Sequence, residues 1–307
     1  MTPLILYHAN CTDGFGAAWA AFQKFGANAS YIPVQYGTST KSVEEQWGEF
    51  YAHLYGAPLD RDIYILDFSL PPDVLSLLQL HQQRQSVGLN YPTKVVMLDH
   101  HESAMRQWTT EDTRKLSKLG SGTEIQFDMD RSGAGMAWDY FLYSARPMLV
   151  NYIEDRDLWK FKLPYTKAFC AGLQMVKQEF EEWDKIVSSH SETIKVIDSG
   201  EAILKFQQGQ IDKSSSDSSL KSITLCGVKG LACNCNNNVS EVGSAIARKS
   251  GTFSLTFFIK DQEVICSLRS IAPFNVANIA KTFGGGGHAQ AAGFKMPIVR
   301  FFTEIWI

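Results

Sequence analysis

The sequence predicts an α/β protein of two domains, a larger one on a parallel sheet and a smaller α/β one with a cleft between them, and three observations carry that prediction. Three short apolar runs each stop at a polar residue: residues 3–7 (PLILY) at His8, residues 63–66 (IYIL) at Asp67 and residues 95–98 (VVML) at Asp99. Helical patterns follow two of these runs. Beyond a serine-rich stretch the pattern changes to two adjacent strand-like segments flanked by short helices.

The three runs are apolar throughout and rich in β-branched or aromatic residues, as strands buried on both faces are. Residues 16–25 (GAAWAAFQKF) read as a helix, and so do residues 72–82, which open on PPD, a good helix start. Strand-helix alternation implies parallel strands with right-handed crossovers. Ligands of such sheets bind outside the carboxyl ends of the strands, so His8, Asp67, Asp99, His100 and His101 fall near one rim. Residues 133–143 read as a helix packing on the sheet, and residues 151–161 gather Glu154, Asp155 and Asp157 beside Trp159. Residues 180–208 look helical and amphipathic and run into DKSSSDSS at 212–219, the most loop-like stretch. The expected organisation is a catalytic domain at 1–190, a helical linker and serine-rich loop at 191–219, and a substrate-binding domain at 220–307. In the last, residues 253–259 and 264–268 are strands joined by a turn around Lys260-Asp261-Gln262, and 239–249 and 276–283 are helices.

Composition narrows the function. With 307 residues and 45% hydrophobic content the chain can bury more than one core. Its 29 Lys and Arg against 32 Asp and Glu give a net charge of -3, unlike a protein that grips long nucleic acid by its phosphates. No apolar run approaches the ~20 residues of a membrane helix. The N-terminal MTPLILYHAN lacks a basic region and a long apolar core, so no signal peptide is expected. The six cysteines form no CxxC pair, which suits free thiols in a cytoplasmic protein.

Five segments carry candidate chemistry. In HANCTDG, His8 and Asp13 flank a tight loop, an imidazole and a carboxylate that suit a divalent metal such as manganese, unless Asp13 merely caps the helix starting at Gly14. Asp67 in ILDFSLPP is alone a turn residue as readily as a ligand. In DHHES, neighbours on extended chain point to opposite faces, so His100 and His101 cannot both face one metal unless the loop twists; one ligates while the other orients a neighbour or contacts substrate, the bland alternative being two surface histidines on a loop. Asp99 suits an outer role, holding an imidazole. EDRDLW is a solvated loop or a metal site with Asp155 or Asp157 as ligand. Together these segments fit two divalent cations roughly 3.5–4 Å apart, the arrangement that clamps an in-line phosphoryl displacement. In GGGGHAQAAG, glycines let backbone N–H groups reach an anion and His288 can donate to phosphate, the alternative being a flexible hinge. Arg269 can fork onto a phosphate or a guanine edge.

The pattern resembles the DHH phosphoesterases along essentially the whole chain. The match runs in order through His8 and Asp13-Gly14, Asp67-Phe68-Ser69, Asp99-His100-His101, and Asp155-Arg156-Asp157-Leu158-Trp159. Arg269-Ser270 and Gly284–His288 with Ala291-Ala292-Gly293 resemble the DHH-associated C-terminal domain. The resemblance implies two manganese ions per chain, with magnesium as the alternative. It makes His8, Asp13 and His100 ligands, Asp67 a bridge between the metals, and Asp99 and His101 supporting catalytic groups. Asp157 aligns better than Asp155 with the family's fourth-motif aspartate. Arg269, Gly285, Gly286, Gly287 and His288 would bind substrate phosphate or base, with Ser240 and Asn238 as further candidates. The first motif departs from the pattern: where many relatives carry two aspartates separated by one residue, this chain has Cys11 and Asp13, which brings Asn10 or Cys11 forward as a weaker ligand.

Within that family the chain reads as a cytoplasmic nanoRNase, an oligoribonuclease-like hydrolase that cleaves 5′-phosphorylated dinucleotides such as pGpG to mononucleotides. No oligonucleotide-binding extension is expected, and no membrane or sensory segment is expected before the catalytic domain. Partners would be short RNA or a dinucleotide, with no long nucleic acid and no membrane, in a monomer or homodimer. Phe15, Trp19, Phe68 and Phe274 are stacking candidates, although most such aromatics belong to cores. The alternatives are a cyclic-dinucleotide or 3′-phosphoadenosine 5′-phosphate phosphoesterase, and a catalytically weak dinucleotide-binding sensor.

Overall fold

The computed structural model describes residues 2–35, 61–85, 94–112 and 122–306. The chain divides into two compact units, Met1–Glu201 and Ala202–Ile307.

The first unit is built on five parallel strands in the order β2-β1-β3-β4-β5: β1 Leu4–His8, β2 Ser30–Val34, β3 Ile63–Leu66, β4 Val95–Asp99 and β5 Thr123–Phe127. The three apolar runs are the three central strands, and each is buried on both faces. Alternate residues separate cleanly, as a period of two requires. Ile5, Tyr64, Leu66, Val96 and Leu98 join one core with the helices α1 (Thr12–Phe25), α4 (Gly133–Leu142) and α5 (Met148–Asp157). Leu4, Leu6, Ile63, Ile65, Val95 and Met97 join another with α2 (Pro72–Gln85). Among the described residues between α2 and α4 lies one short helix, α3 (Glu102–Met105).

The two edge strands carry no continuous apolar run. β5 reads TEIQF and β2 reads SYIPV, both mostly half-buried, and Pro33 is tolerated because, among the described residues, β2 pairs on one side only. Helix α1 is alanine-rich on its buried side and ends at Gly26, whose φ is 55 and whose N–H bonds to the Phe22 carbonyl. The EDRDLW segment is helical through Asp157, not a loop. It is followed by α6 (Thr166–Leu173), α7 (Phe180–Ser188) and α8 (His190–Ser214).

The division between the units falls inside α8, within the segment expected to link them. The serine-rich stretch is more regular than its composition suggests. Residues 212–214 complete α8, and Asp217–Ser219 form a 3-10 turn in which the Ser216 and Ser219 hydroxyls lie 3.1 Å apart.

The second unit is a six-stranded sheet in the order β10-β11-β9-β8-β7-β6, with only β7 and β8 parallel. Its strands are β6 Lys221–Leu225, β7 Val228–Asn234, β8 Phe253–Lys260, β9 Glu263–Ser270, β10 Gly286–His288 and β11 Ala291–Pro297. Helix α9 (Val239–Ser250) packs Val242 and Ile246 with Cys233 and Cys235. Helices α10 (Val276–Thr282) and α11 (Ile298–Glu304) contribute to a separate core with Phe253, Leu255 and Leu268. The glycine run is neither a hinge nor an open loop: Gly286, Gly287 and His288 form an edge strand paired with Gly293, Ala292 and Ala291. All six cysteines are free. Among the described residues, no helix is long and apolar enough to cross a membrane.

Candidate metal centre

Parallel strands deliver their C-terminal residues to one rim. His8 ends β1, Asp67 follows β3, and Asp99 ends β4 with His100 and His101 next in sequence. Asp13 adds a carboxylate from the first turn of α1, and Asp157 another from the last turn of α5.

These side chains form two triads whose candidate ligand atoms lie within 4.8 Å of one another: His8, Asp67 and His101, and Asp13, His100 and Asp157. Asp67 links the two. Its Oδ2 lies 3.3 Å from His8 Nδ1 and its Oδ1 lies 3.1 Å from His100 Nε2. His100 Nε2 is also 3.4 Å from both Asp13 Oδ2 and Asp157 Oδ2. The two adjacent histidines thus serve different triads, their ring centroids 4.7 Å apart.

The backbone at Asp67 is left-handed, with φ of 62, a region aspartate tolerates better than most residues. The turn presses the side chain against Gly133. A Cβ at that glycine would sit 2.5 Å from Asp67 Cβ and 2.7 Å from Oδ1. Asp13 does not cap its own helix. Its two carboxylate oxygens accept from the N–H groups of Gly133 and Ala134, 2.6 and 2.9 Å away, and so occupy the N-terminus of α4. Ser132 caps the same helix through Gly135 N–H, and Glu154 accepts from Ser132 N–H.

Asp99 is wholly buried. Its Oδ1 takes the His101 Nδ1 hydrogen bond at 2.7 Å and the His100 N–H at 2.8 Å, and its Oδ2 accepts from the Ser69 hydroxyl. That fixes the His101 ring and leaves Nε2 as the atom it can offer. Sequence reasoning missed Gly133 and the role of Ser69. Nothing but the position of Gly133 at a helix start could have marked it.

Electrostatics fit the same picture. Burial, then the charges of Asp67 and Asp157, hold the Asp13 carboxyl well above its ordinary pKa. Burial also raises Asp157, with His100 opposing. For Asp67 burial acts upward, but the His100 and His8 hydrogen bonds win and hold it below the usual carboxylate range. Burial would lower His100; the Asp67 hydrogen bond and three carboxylates reverse this and carry it up to about 9. One imidazole nitrogen carries at most one proton, yet three carboxylates converge on it. Three carboxylates, Asp13 and Asp67 buried and Asp157 more exposed, mixed with imidazole, are a donor set for divalent cations.

Two expected ligands stand apart. Asp155 is two residues from Asp157 on a helix, hence nearly on the opposite side. Its carboxylate accepts from Lys162 N–H at 2.8 Å, Leu163 N–H at 3.0 Å and the Thr166 hydroxyl, so it braces the following loop. Asn10 is exposed, at φ of 55, and belongs to neither triad. Cys11, half-buried at the start of α1, has its thiol pushed up to about 12, first by burial and then by Asp67.

In the second unit, Arg269 Nη2 donates to the Ser240 hydroxyl at 2.7 Å. Ala291 pairs with both Arg269 and His288, so Arg269 and His288 fall in one row across three strands. Gly286 faces open space, whereas a Cβ at Gly285 would lie 2.1 Å from the Gly293 carbonyl and one at Gly287 would lie 2.5 Å from Ala292 Cα. Asn238 is placed differently: its amide donates to Gln210 at 3.2 Å, and both line a polar cavity of about 380 Å³ with Lys213.

Residues 231–305 match the DHHA1 domain family. The chain is 26% identical over 306 aligned residues to the uncharacterized protein R106 of Acanthamoeba polyphaga mimivirus, covering 94% of this chain and 66% of that protein. It therefore spans just under two thirds of that relative's length. Among solved structures it is similar to PggH, a pGpG-specific phosphodiesterase from Vibrio cholerae, at 10% identity and a TM-score of 0.44, covering 97% of this chain and 94% of that one. An exopolyphosphatase-related protein from Bacteroides fragilis is similar at 14% identity and a TM-score of 0.36, covering 95% and 86%. Likenesses this low in TM-score say nothing about activity. The DHHA1 match covers most of the second unit, and the first unit carries the Asp99-His100-His101 triplet at the end of β4.

Proposed function

We propose that this chain is a divalent-metal-dependent phosphodiesterase that hydrolyses short linear RNA, above all 5′-phosphorylated dinucleotides such as pGpG, to mononucleotides. The observation that carries the reading is the pair of triads joined through the two oxygens of Asp67. His8, Asp67 and His101 would hold one cation, and Asp13, His100 and Asp157 the other. Two such ions, manganese in this reading, would supply positive charge at the phosphate oxygens and make a bound water acidic enough to yield a nucleophile near neutral pH.

The chain's own residues do the positioning. Asp99 and Ser69 hold the His101 ring in one tautomer. Asp13 is anchored on the α4 N-terminus, which keeps its carboxylate fixed. Arg269, with Ser240 beside it, supplies a fork for a phosphate, and the open backbone at Gly286 next to His288 supplies hydrogen-bond donors without side-chain obstruction. A net charge of -3 favours a short substrate over a long strand.

The test is incubation with manganese and a panel of 5′-phosphorylated RNAs of two to ten nucleotides, with cyclic di-GMP and 3′-phosphoadenosine 5′-phosphate alongside. Rapid loss of the dinucleotide, abolished by chelation, is the expected result. Turnover of the cyclic compound or of the bisphosphate alone would replace the substrate. Dinucleotide binding without cleavage of anything would overturn the enzyme reading.

A further inference from the structure

We propose that Trp159, with Phe161 beside it, is the platform on which a nucleobase of the substrate stacks. The inference rests on the reading of the metal centre as a phosphodiester-cleaving site, and it assigns that site a nucleoside-bearing ester rather than a simple phosphate.

Position is the first argument. Trp159 lies two residues beyond Asp157, so the two Cα atoms are at most about 7.6 Å apart. Exposure is the second. The indole is 73% exposed, whereas Phe15, Trp19 and Phe68, three of the four aromatics whose sequence positions suggest stacking, are at most 3% exposed and belong to the core, and the fourth, Phe274, is half-buried in the second unit. Tyr143 is also exposed, but it caps the far end of α4, about 15 Å along the helix from Gly133.

The backbone supplies the third argument. Trp159 and Phe161 have φ of 55 and 47, a left-handed conformation that bulky residues rarely adopt. The surrounding bonds impose it. Trp159 N–H donates to the Arg156 carbonyl at 2.9 Å, and the N–H groups of Lys160 and Phe161 both donate to the Asp155 carbonyl, at 2.9 and 3.2 Å. The Asp155 carboxylate then ties down Lys162 and Leu163. A strained loop held this firmly presents its aromatic rings without first having to order them. The rings meet edge to face, centroids 4.9 Å apart, and Lys167 Nζ lies 4.9 Å from the Phe161 ring. A π-surface whose neighbouring ring carries a cation over it suits a base whose phosphate is close by.

The experiment uses the full chain with a 5′-phosphorylated dinucleotide and with the same compound lacking both bases. Binding is read by tryptophan fluorescence in calcium, hydrolysis in manganese. In the wild type the dinucleotide quenches emission and the base-free compound does not. Trp159→Phe removes the quench and keeps the affinity within a few-fold. Trp159→Ala lowers the preference in kcat/KM for the dinucleotide over the base-free compound by roughly 5- to 150-fold, the range that one stacked base contributes. An unchanged preference in Trp159→Ala overturns the proposal. So does an equal loss on both compounds, which would make Trp159 a structural residue. If the wild type cleaves neither compound, the phosphodiesterase reading falls, and the quench alone decides stacking: its presence in the wild type and absence in Trp159→Phe upholds the platform, and its absence in the wild type overturns it.

Discussion

The two oxygens of the Asp67 carboxylate face different histidines, Oδ2 at 3.3 Å from His8 Nδ1 and Oδ1 at 3.1 Å from His100 Nε2. One side chain therefore belongs to both triads. Asp67→Asn keeps the volume and removes the charge on which both depend. Manganese stoichiometry, measured by equilibrium dialysis, is expected to fall below two per chain. Turnover should drop by more than the roughly 10- to 100-fold that loss of an outer partner costs a metal site. Full occupancy with wild-type turnover would remove Asp67 from the centre.

Asp99 touches no candidate cation position of its own; it holds His101 through Nδ1, the His100 backbone and the Ser69 hydroxyl. It is a positioning residue. Asp99→Asn should weaken manganese binding or turnover by roughly 10- to 100-fold, because an amide can present its N–H to His101 and so turn the ring or its tautomer. Ser69→Ala removes one donor to the buried Asp99 carboxylate and should act in the same direction with a smaller effect, near the cost of one unsatisfied acceptor, about 1–3 kcal/mol of stability. Both follow from metal titration and thermal unfolding of the two variants.

The rim of the sheet was legible because burial on both faces of β1, β3 and β4 leaves a continuous apolar signal that ends where chemistry begins. The edges were not: β2 and β5 are half-buried and carry Pro33, Glu124 and Gln126, so neither has a continuous apolar run to mark it. The residues alone did not separate Asp155 from Asp157, which only the family resemblance favoured, since only a helix turns residues two apart to opposite sides. The glycine run, read as an anion-binding backbone or a flexible hinge, ends in an edge strand at Gly286–His288 because that segment pairs with β11, a non-local fact no local pattern carries. The Asp13 partners on α4 are 120 and 121 residues away in sequence and equally invisible.

Gly133 is the position where a single methyl group should disturb the centre. Its Cβ would lie 2.5 Å from Asp67 Cβ, on a backbone already turned left-handed. Gly133→Ala should cost about 1–3 kcal/mol as overpacking does, and should lower manganese affinity as Asp67 shifts. Gly209, inside α8 with nothing within 4 Å of its would-be Cβ, is the control: Gly209→Ala should stabilise by about 0.5–1 kcal/mol and leave metal binding alone. Equal effects of the two substitutions on metal affinity would break the link between Gly133 and Asp67.

Behind the centre, Arg146 joins Asp139 and Glu154, and Glu154 in turn accepts the Ser132 N–H at the start of α4. The Arg146 hydrogen bond holds the Asp139 carboxyl below its ordinary value of 3.8. A carboxyl depressed in the folded state contributes stability that is fully present above its unfolded pKa and is lost as pH falls through the folded one. Asp139→Asn should therefore be less stable than the wild type at neutral pH. The gap should close on the acid side, starting near pH 3.8 and continuing below it. Because the Asp139 side chain is 41% exposed, solvent screening keeps the neutral-pH difference to about 1 kcal/mol or less. Urea unfolding of both proteins at pH 7 and at successive steps down to pH 3 measures this. A gap that widened on acidification would mean that Asp139 is not ionised against Arg146, and that the anchor of α4 behind the centre rests on Glu154 alone.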